Sequence, residues 1–418
     1  MSVLSNVGLK IPPQRKRGEP VWRGPEVDGI TFSLLSRFLT CRERFRVHAI
    51  EGLRPVEQFN HRIEYGNMWH ACEEAYAANP DPIPIKPPCN PPWMIALSVY
   101  CRDLAQKYPM SRQDIEKWHD VCRIQFPIYV EYWSKHHDVL RREPMFQEQV
   151  FDVRYPLPSG REVRLRGKWD SVDLIGEGAD RGIYLQENKT KGDIDEPLMR
   201  RQLTMDLQTM MYLVSLYLTP GIGYESEGHM ASDHPPYPIR GVRYNVIRRP
   251  LSGGAGTIQQ REATRGAKCS RKSCRVAPSR MCDACRGSGR VGAKPAETRE
   301  QYMNRLRGYI DGTGFDSEGK PTKGPSWYFM RWKAEVSEAD VERFRVQCLT
   351  PILEQLCDWY EYQVDAPVSE PIPPHIHWRH PFGAQNSIDE YGASDLDNYL
   401  ATGSDAGLRQ VDDLFPEL

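Results

Sequence analysis

Three consecutive segments, MFQEQVFDVRYPL (145–157), REVRLRGKWDSVDLI (161–175) and GIYLQENKT (182–190), alternate apolar and polar residues with a period of two. That period commits each to a β-strand. The Gly/Pro/Ser-rich turns between them leave room only for adjacent strands, so a sheet must form in this part of the chain. The last strand carries Glu187 and Lys189 on one face, although its other members, Ile183 and Leu185, have the character of a core.

Helical periods surround the strands. ITFSLLSRFLTCRERFRVHAI places Leu34, Leu35, Phe38 and Phe45 on one side, with Thr31 or Ser33 as N-cap. A second helix covers about 61–78, and the Pro-rich NPDPIPIKPPCNPP separates it from helices near 93–107 and 111–138, the latter kinked at Pro127. After the strands, one long helix from Pro197 to Leu218 shows the stripe Leu203, Leu207, Met210, Val214, Leu218. A further strand, IRGVRYNVI, and helices near 296–310 and 337–363 complete the body. The expected fold class is α/β, a mixed central sheet flanked by helices. The segments are a flexible basic arm (1–29), a helical N-terminal subregion (30–140), the sheet-bearing core (141–250), a Cys/Arg-rich insertion (251–294), C-terminal helices (295–365) and a Pro-rich, then acidic, tail (366–418).

No apolar run approaches the length of a bilayer span, and MSVLSNVGLKIPPQRKRGEP has no apolar stretch ahead of its basic patch, so a cytoplasmic protein without membrane contact is expected. In that compartment the 11 cysteines are not a disulfide framework. The net charge of −1 conceals a segregation. Between Arg248 and Lys294 twelve Lys/Arg stand against two acids, whereas from Asp389 to Leu418 eight acids stand against Arg409. Such a basic tract suits a polyanion. Its candidate contacts are Arg248, Arg249, Lys268, Arg271, Lys272 and Arg275. The acidic tail is either a solvated end or an internal mimic of that polyanion.

Asp170 lies near the end of the middle strand, and a hairpin turning at about Gly176 to Gly182 brings its carboxylate beside Glu187. Two carboxylates and an amine converging on a sheet suit a magnesium or manganese site for phosphodiester hydrolysis, in which Lys189 orients or deprotonates water and neutralises phosphate. A surface salt bridge is the plainer reading of that triplet alone. Two more features occur in order: GNMWHACEE sets His70 on a helix, and DLQTMMY sets Gln208 and Tyr212 one turn apart on the helix after Lys189.

In this order SLLSRFLTCRERF, GNMWHA, GKWDSVD, QENKTK and QTMMY resemble the motifs of the RecB-like branch of the PD-(D/E)XK nuclease superfamily, from about Ser33 to Tyr212. The resemblance implies a restriction-endonuclease-like core. It implies that His70, Asp170, Glu187 and the Asn188 backbone carbonyl ligate a divalent metal, that Lys189 is the catalytic lysine, and that Gln208 and Tyr212 contact DNA or brace the site. Glu148 would stand behind them as a supporting acid. The activity implied is metal-dependent DNA cleavage, of exonuclease type, in recombination, repair or phage replication. The alternatives are a nuclease subunit needing a helicase or adaptation partner, and a degenerate DNA-binding module.

KCSRKSCRVAPSRMCDACRGSGR spaces Cys269, Cys274, Cys282 and Cys285 for structural zinc. CDACRGSG resembles the zinc knuckle of DnaJ-type proteins, whose glycines free backbone amides to point at sulfur. Some RecB-like nucleases instead hold an iron-sulfur cluster through a cysteine at the place of Cys41 and three more after the last motif, but the C-terminal stretch HIHWRHPFGAQNSIDEYG has no cysteine to complete one. Cys41, Cys72, Cys101, Cys122, Cys348 and Cys357 read as buried hydrophobes. GFDSEGKPT (314–322) departs from a phosphate-binding loop at Pro321, so a helicase would be a separate protein. His375, His377 and His380 read as part of a docking strap.

Overall fold

The computed structural model describes residues 20–78, 90–135, 142–192, 194–203, 206–222, 237–249, 328–365, 399 and 404–415, and within 260–313 all but 262, 264–265, 272–273, 275–281, 287, 289 and 293. The loop at 314–322, the three C-terminal histidines, Lys272 and Arg275 lie outside the described residues.

The three alternating segments are β2 (Arg142–Pro156), β3 (Glu162–Ile175) and β4 (Gly182–Lys191), paired antiparallel in sequence order. β3 alternates buried and half-exposed side chains up to Asp170 and is buried on both faces from Ser171 onward. Helices cover both sides of the sheet there. β5 (Ile239–Arg248) runs parallel to β4, and β8 (Phe329–Glu335) closes the five-stranded order β2-β3-β4-β5-β8. A parallel neighbour requires a crossover. Here α5 (Glu196–Leu203) and α6 (Leu207–Leu218) lie along it. At Gly241, φ is +142°, and an added Cβ would stand 2.1 Å from the Ala334 carbonyl oxygen, so only glycine fits that approach of β5 to β8.

On one face of the sheet, Trp169, Leu185, Val242 and Tyr244 pack with Leu213 and Val214 of α6 and with Phe38 of α1 (Phe32–Thr40). On the other face, α2 (His61–Ala78), α3 (Pro92–Lys107), α4 (Arg112–Ser134) and α7 (Arg299–Asp311) bury a second cluster that includes Tyr65, Trp69, Phe126 and Leu306. α4 carries Pro127 inside it, as expected.

Four expectations need correction. The helix expected over 197–218 is two helices, because Asp206 caps α6: its Oδ1 accepts from the Gln208 amide at 2.9 Å and its Oδ2 from the Thr209 hydroxyl at 2.6 Å. Side-chain capping competes with continued helix at such residues. The arm does not extend to residue 29. Trp22 is fully buried against Phe45 and Tyr360, and its Nε1 donates to the Gly29 carbonyl at 2.8 Å. The acidic tail is not wholly solvated, since β9 (Leu408–Gln410) pairs antiparallel with β1 (Leu53–Pro55) and Leu414 is buried. Finally, Cys348 is exposed. It sits in a π-helical turn, Arg345–Leu349, between α8 (Glu338–Phe344) and α9 (Thr350–Asp365), where the extra residue rotates the apolar face away.

Candidate active site

The β3/β4 ladder runs from Ile175↔Gly182 to Ser171↔Gln186, whereas β4 continues beside β5 to Lys191↔Arg248. The two strands therefore part at Asp170 and Glu187. Within the fork, the Asn188 amide donates to Asp170 Oδ2 at 2.7 Å, which satisfies a backbone donor the ladder no longer serves.

On the other side of β3, Glu148 interrupts β2 with a φ of 45°, between the pairs Gln147↔Ser171 and Gln149↔Trp169. A left-handed non-glycine residue inside a strand costs on the order of 1 kcal/mol, and such strain concentrates where a side chain must be re-aimed. The aim here is the fork. Glu148 Oε1 lies 2.9 Å from His70 Nδ1, and Glu148 Oε2 lies 2.7 Å from Lys168 Nζ. His70 Nδ1 is in turn 3.7 Å from Asp170 Oδ1. Sequence reasoning gave Glu148 only a supporting part and passed over Lys168. The pairing of β2 with β3 was legible, but the positive φ that turns Glu148 toward His70 has no signature in residue types.

Glu187 is fully buried beneath the fork. Its Oε2 accepts from Lys189 Nζ at 2.7 Å, and the same amine donates to Gln208 Oε1 at 2.9 Å. Gln208 Nε2 reaches Tyr212 Oη at 3.4 Å, and the Tyr212 ring packs edge-on against Phe151. Lys189 is thus held from two sides. Burial would push its amine down, but the Glu187 and Asp170 carboxylates hold it well above the ordinary lysine value, so it is an ammonium. A permanent cation suits orienting water and stabilising charge; it cannot take a proton.

His70, Glu148 and Asp170 offer one nitrogen and two oxygens, all within 4.8 Å of one another. Glu187 Oε1 is a buried acceptor without a hydrogen-bond partner. Burial first, and then the Asp170 charge, push the Glu187 carboxyl up to about 7 against the pull of Lys189. Burial lowers the His70 imidazole, yet Asp170 and Glu148 raise it to about 9. Carboxylates crowded together with an orphaned oxygen are the electrostatics of a site short of positive charge. The donor set fits a divalent cation.

Away from the fork, Cys269, Cys274, Cys282 and Cys285 form a second group within 4.8 Å, with Cys269 Sγ 3.8 Å from Cys282 Sγ. Four sulfurs about 2.3 Å from a tetrahedral zinc stand roughly 3.8 Å apart, so the geometry fits that ion. A two-stranded ribbon, β6 (Ala267–Lys268) with β7 (Arg290–Val291), flanks them. Within the knuckle the described left-handed residue is Arg286 (φ 44°), whose amide donates to the Cys282 carbonyl at 2.7 Å; Gly287 and Gly289 lie outside the described residues. Cys41 is buried at the end of α1 and does not belong to this group. Of the basic candidates, Lys268 and Arg271 are exposed, Arg271 lying 3.6 Å from Asp283, while Arg249 is half-buried and Arg248 is buried.

No curated protein matches the chain. A family profile does, over residues 30–310, which is most of the chain and includes His70, Glu148, Asp170, Glu187, Lys189, Gln208 and all four clustered cysteines. Divalent metals serve the nucleases of that family. With the mixed sheet, its flanking helices and the forked acidic site, this match establishes that the chain belongs to the PD-(D/E)XK nuclease superfamily.

Proposed function

We propose that the chain is a magnesium- or manganese-dependent deoxyribonuclease that degrades DNA from an end. The observation that carries this reading is the orphaned Glu187 Oε1 in a fork whose other acids already crowd His70. His70, Glu148, Asp170 and Glu187, with the Asn188 carbonyl, would hold the cation. Bound there, it supplies an acidified water and neutralises phosphoryl oxygen. Lys189, steadied by Glu187 and Gln208, donates to a phosphate oxygen and fixes the water beside it. Tyr212 holds Gln208 and through it the lysine. The zinc-bearing insertion, with Lys268 and Arg271 exposed, grips backbone phosphates.

The exonuclease mode and a setting in recombination, repair or phage replication rest on the resemblance to RecB-like nucleases. Incubating 5′- and 3′-labelled linear and circular DNA with Mg²⁺ or Mn²⁺ tests both the activity and the mode. Linear DNA should shorten from an end while circular DNA persists. Asp170→Ala and Lys189→Ala should each lose at least about a hundredfold in rate, the scale of one preorganised charge. Cleavage by either variant at the wild-type rate refutes the reading. Cleavage of circles corrects the mode, and activity only with an added helicase marks a partner-dependent subunit.

A further inference from the structure

α2 extends beyond the fork. His70 faces Glu148 and Asp170, Gly66 lies one turn earlier, with space for a Cβ only 3.3 Å from Thr190 Oγ1 of β4, and Arg62 lies one turn earlier still, exposed. Arg62 is therefore about 12 Å along the helix axis from the metal-binding group. Beside it stands Arg249, at the end of β5. The Arg249 amide donates to the Lys191 carbonyl at 2.7 Å, and its Nη1 donates to the Arg62 carbonyl at 3.3 Å. The Arg249 guanidinium is thus anchored on the Arg62 main chain, and among the described residues neither arginine makes an ion pair with a carboxylate. Burial first, and then the charge of Arg62, lower the Arg249 value. Burial first, and then Arg249, Arg62 and Lys117, lower neighbouring His61, with Asp114 opposing them.

Like charges on neighbouring residues favour an anion beside them. The opposite end of the same helix face has the contrary sign, since Glu74, one turn past His70, is exposed and its carboxyl is raised by burial and by Glu148. A phosphate chain passing over His70 is therefore drawn toward Arg62 and repelled on the Glu74 side.

We propose that Arg62 and Arg249 form a second phosphate-binding site that holds the backbone of the cleaved strand on one side of the scissile bond. The inference rests on the nuclease reading and deepens it, by fixing which way the strand leaves the fork. A guanidinium pair grips phosphate through parallel N–H donors, without regard to sequence.

The test uses the full chain with Arg62→Glu and Arg62→Lys, on a long single strand and on bis(p-nitrophenyl) phosphate, a diester too small to span the two sites. For Arg62→Glu, kcat/KM on the long strand should fall by about tenfold relative to kcat/KM on the small diester, mostly through KM, the loss expected of one charge-assisted contact. Arg62→Lys should recover part of it. Fluorescence anisotropy on the same strand, without turnover, should show the salt dependence of binding lowered by about one counterion. An unchanged salt slope and an unchanged ratio of the two substrates overturn the second site. Wild-type protein inert on both diesters refutes the nuclease reading instead, and the anisotropy arm still decides whether Arg62 binds phosphate.

Discussion

Glu187 and His70 are both shifted toward their protonated forms, and this has a consequence for stability. A carboxyl raised to about 7 stabilises the native state fully below the ordinary carboxylate value and loses that contribution as pH rises through 7. The imidazole raised to about 9 contributes fully below its ordinary value and loses the contribution as pH approaches 9. The two windows join, so the cation-free protein should lose stability from about pH 5 to about pH 9. A divalent cation replaces the missing charge, so adding Mn²⁺ should raise the melting temperature more at about pH 8.5 than at about pH 6. Equal gains at both values, measured by differential scanning fluorimetry, would show that these groups do not form the cation site. That Glu187 and Lys189 share a face was legible in the sequence because a two-residue period fixes which side chains do so, whereas Asp170 followed from the hairpin and His70, on a helix, from the order of the motifs. Glu148 was not, because its place depends on a strained backbone angle rather than on a pattern.

At the scale of elements, the site depends on where strands end and helices begin. The hairpin turn at Gly176 to Gly182 followed from alternation and turn residues alone, and it sets Asp170 and Glu187 where β3 and β4 part. The break before α6 did not, because the apolar stripe continues through it and only Asp206 marks the start. That cap matters for chemistry, since Gln208 in the first turn is the residue that steadies Lys189. Asp206→Ala should cost about 1 kcal/mol of stability, the usual worth of an N-cap. It should also reduce kcat severalfold with little change in KM, because Lys189 loses a fixed partner. Chemical denaturation and steady-state kinetics check the two parts. A stability loss with kcat intact would mean that Gln208 does not depend on the cap.

At the scale of the whole molecule, hydrophobic periodicity was enough for the layers of sheet and helix, whereas the chain ends were misread because long-range packing overrides local composition. Trp22 turns part of a polar arm into core, and Leu408–Gln410 turn part of an acidic tail into an edge strand. The cysteine cluster, by contrast, was legible from spacing alone. A strong chelator should unfold the insertion locally, seen as rapid proteolysis within 260–294, while Phe329–Glu335 and the rest of the central sheet stay protected. Proteolysis unchanged by chelation would mean that the four thiols hold no ion. The fork itself is tested most directly by diffraction from crystals soaked in Mn²⁺. An anomalous peak bounded by His70, Glu148, Asp170 and Glu187, absent in Glu187→Gln, is the predicted result; well-ordered side chains with no peak among them would contradict it.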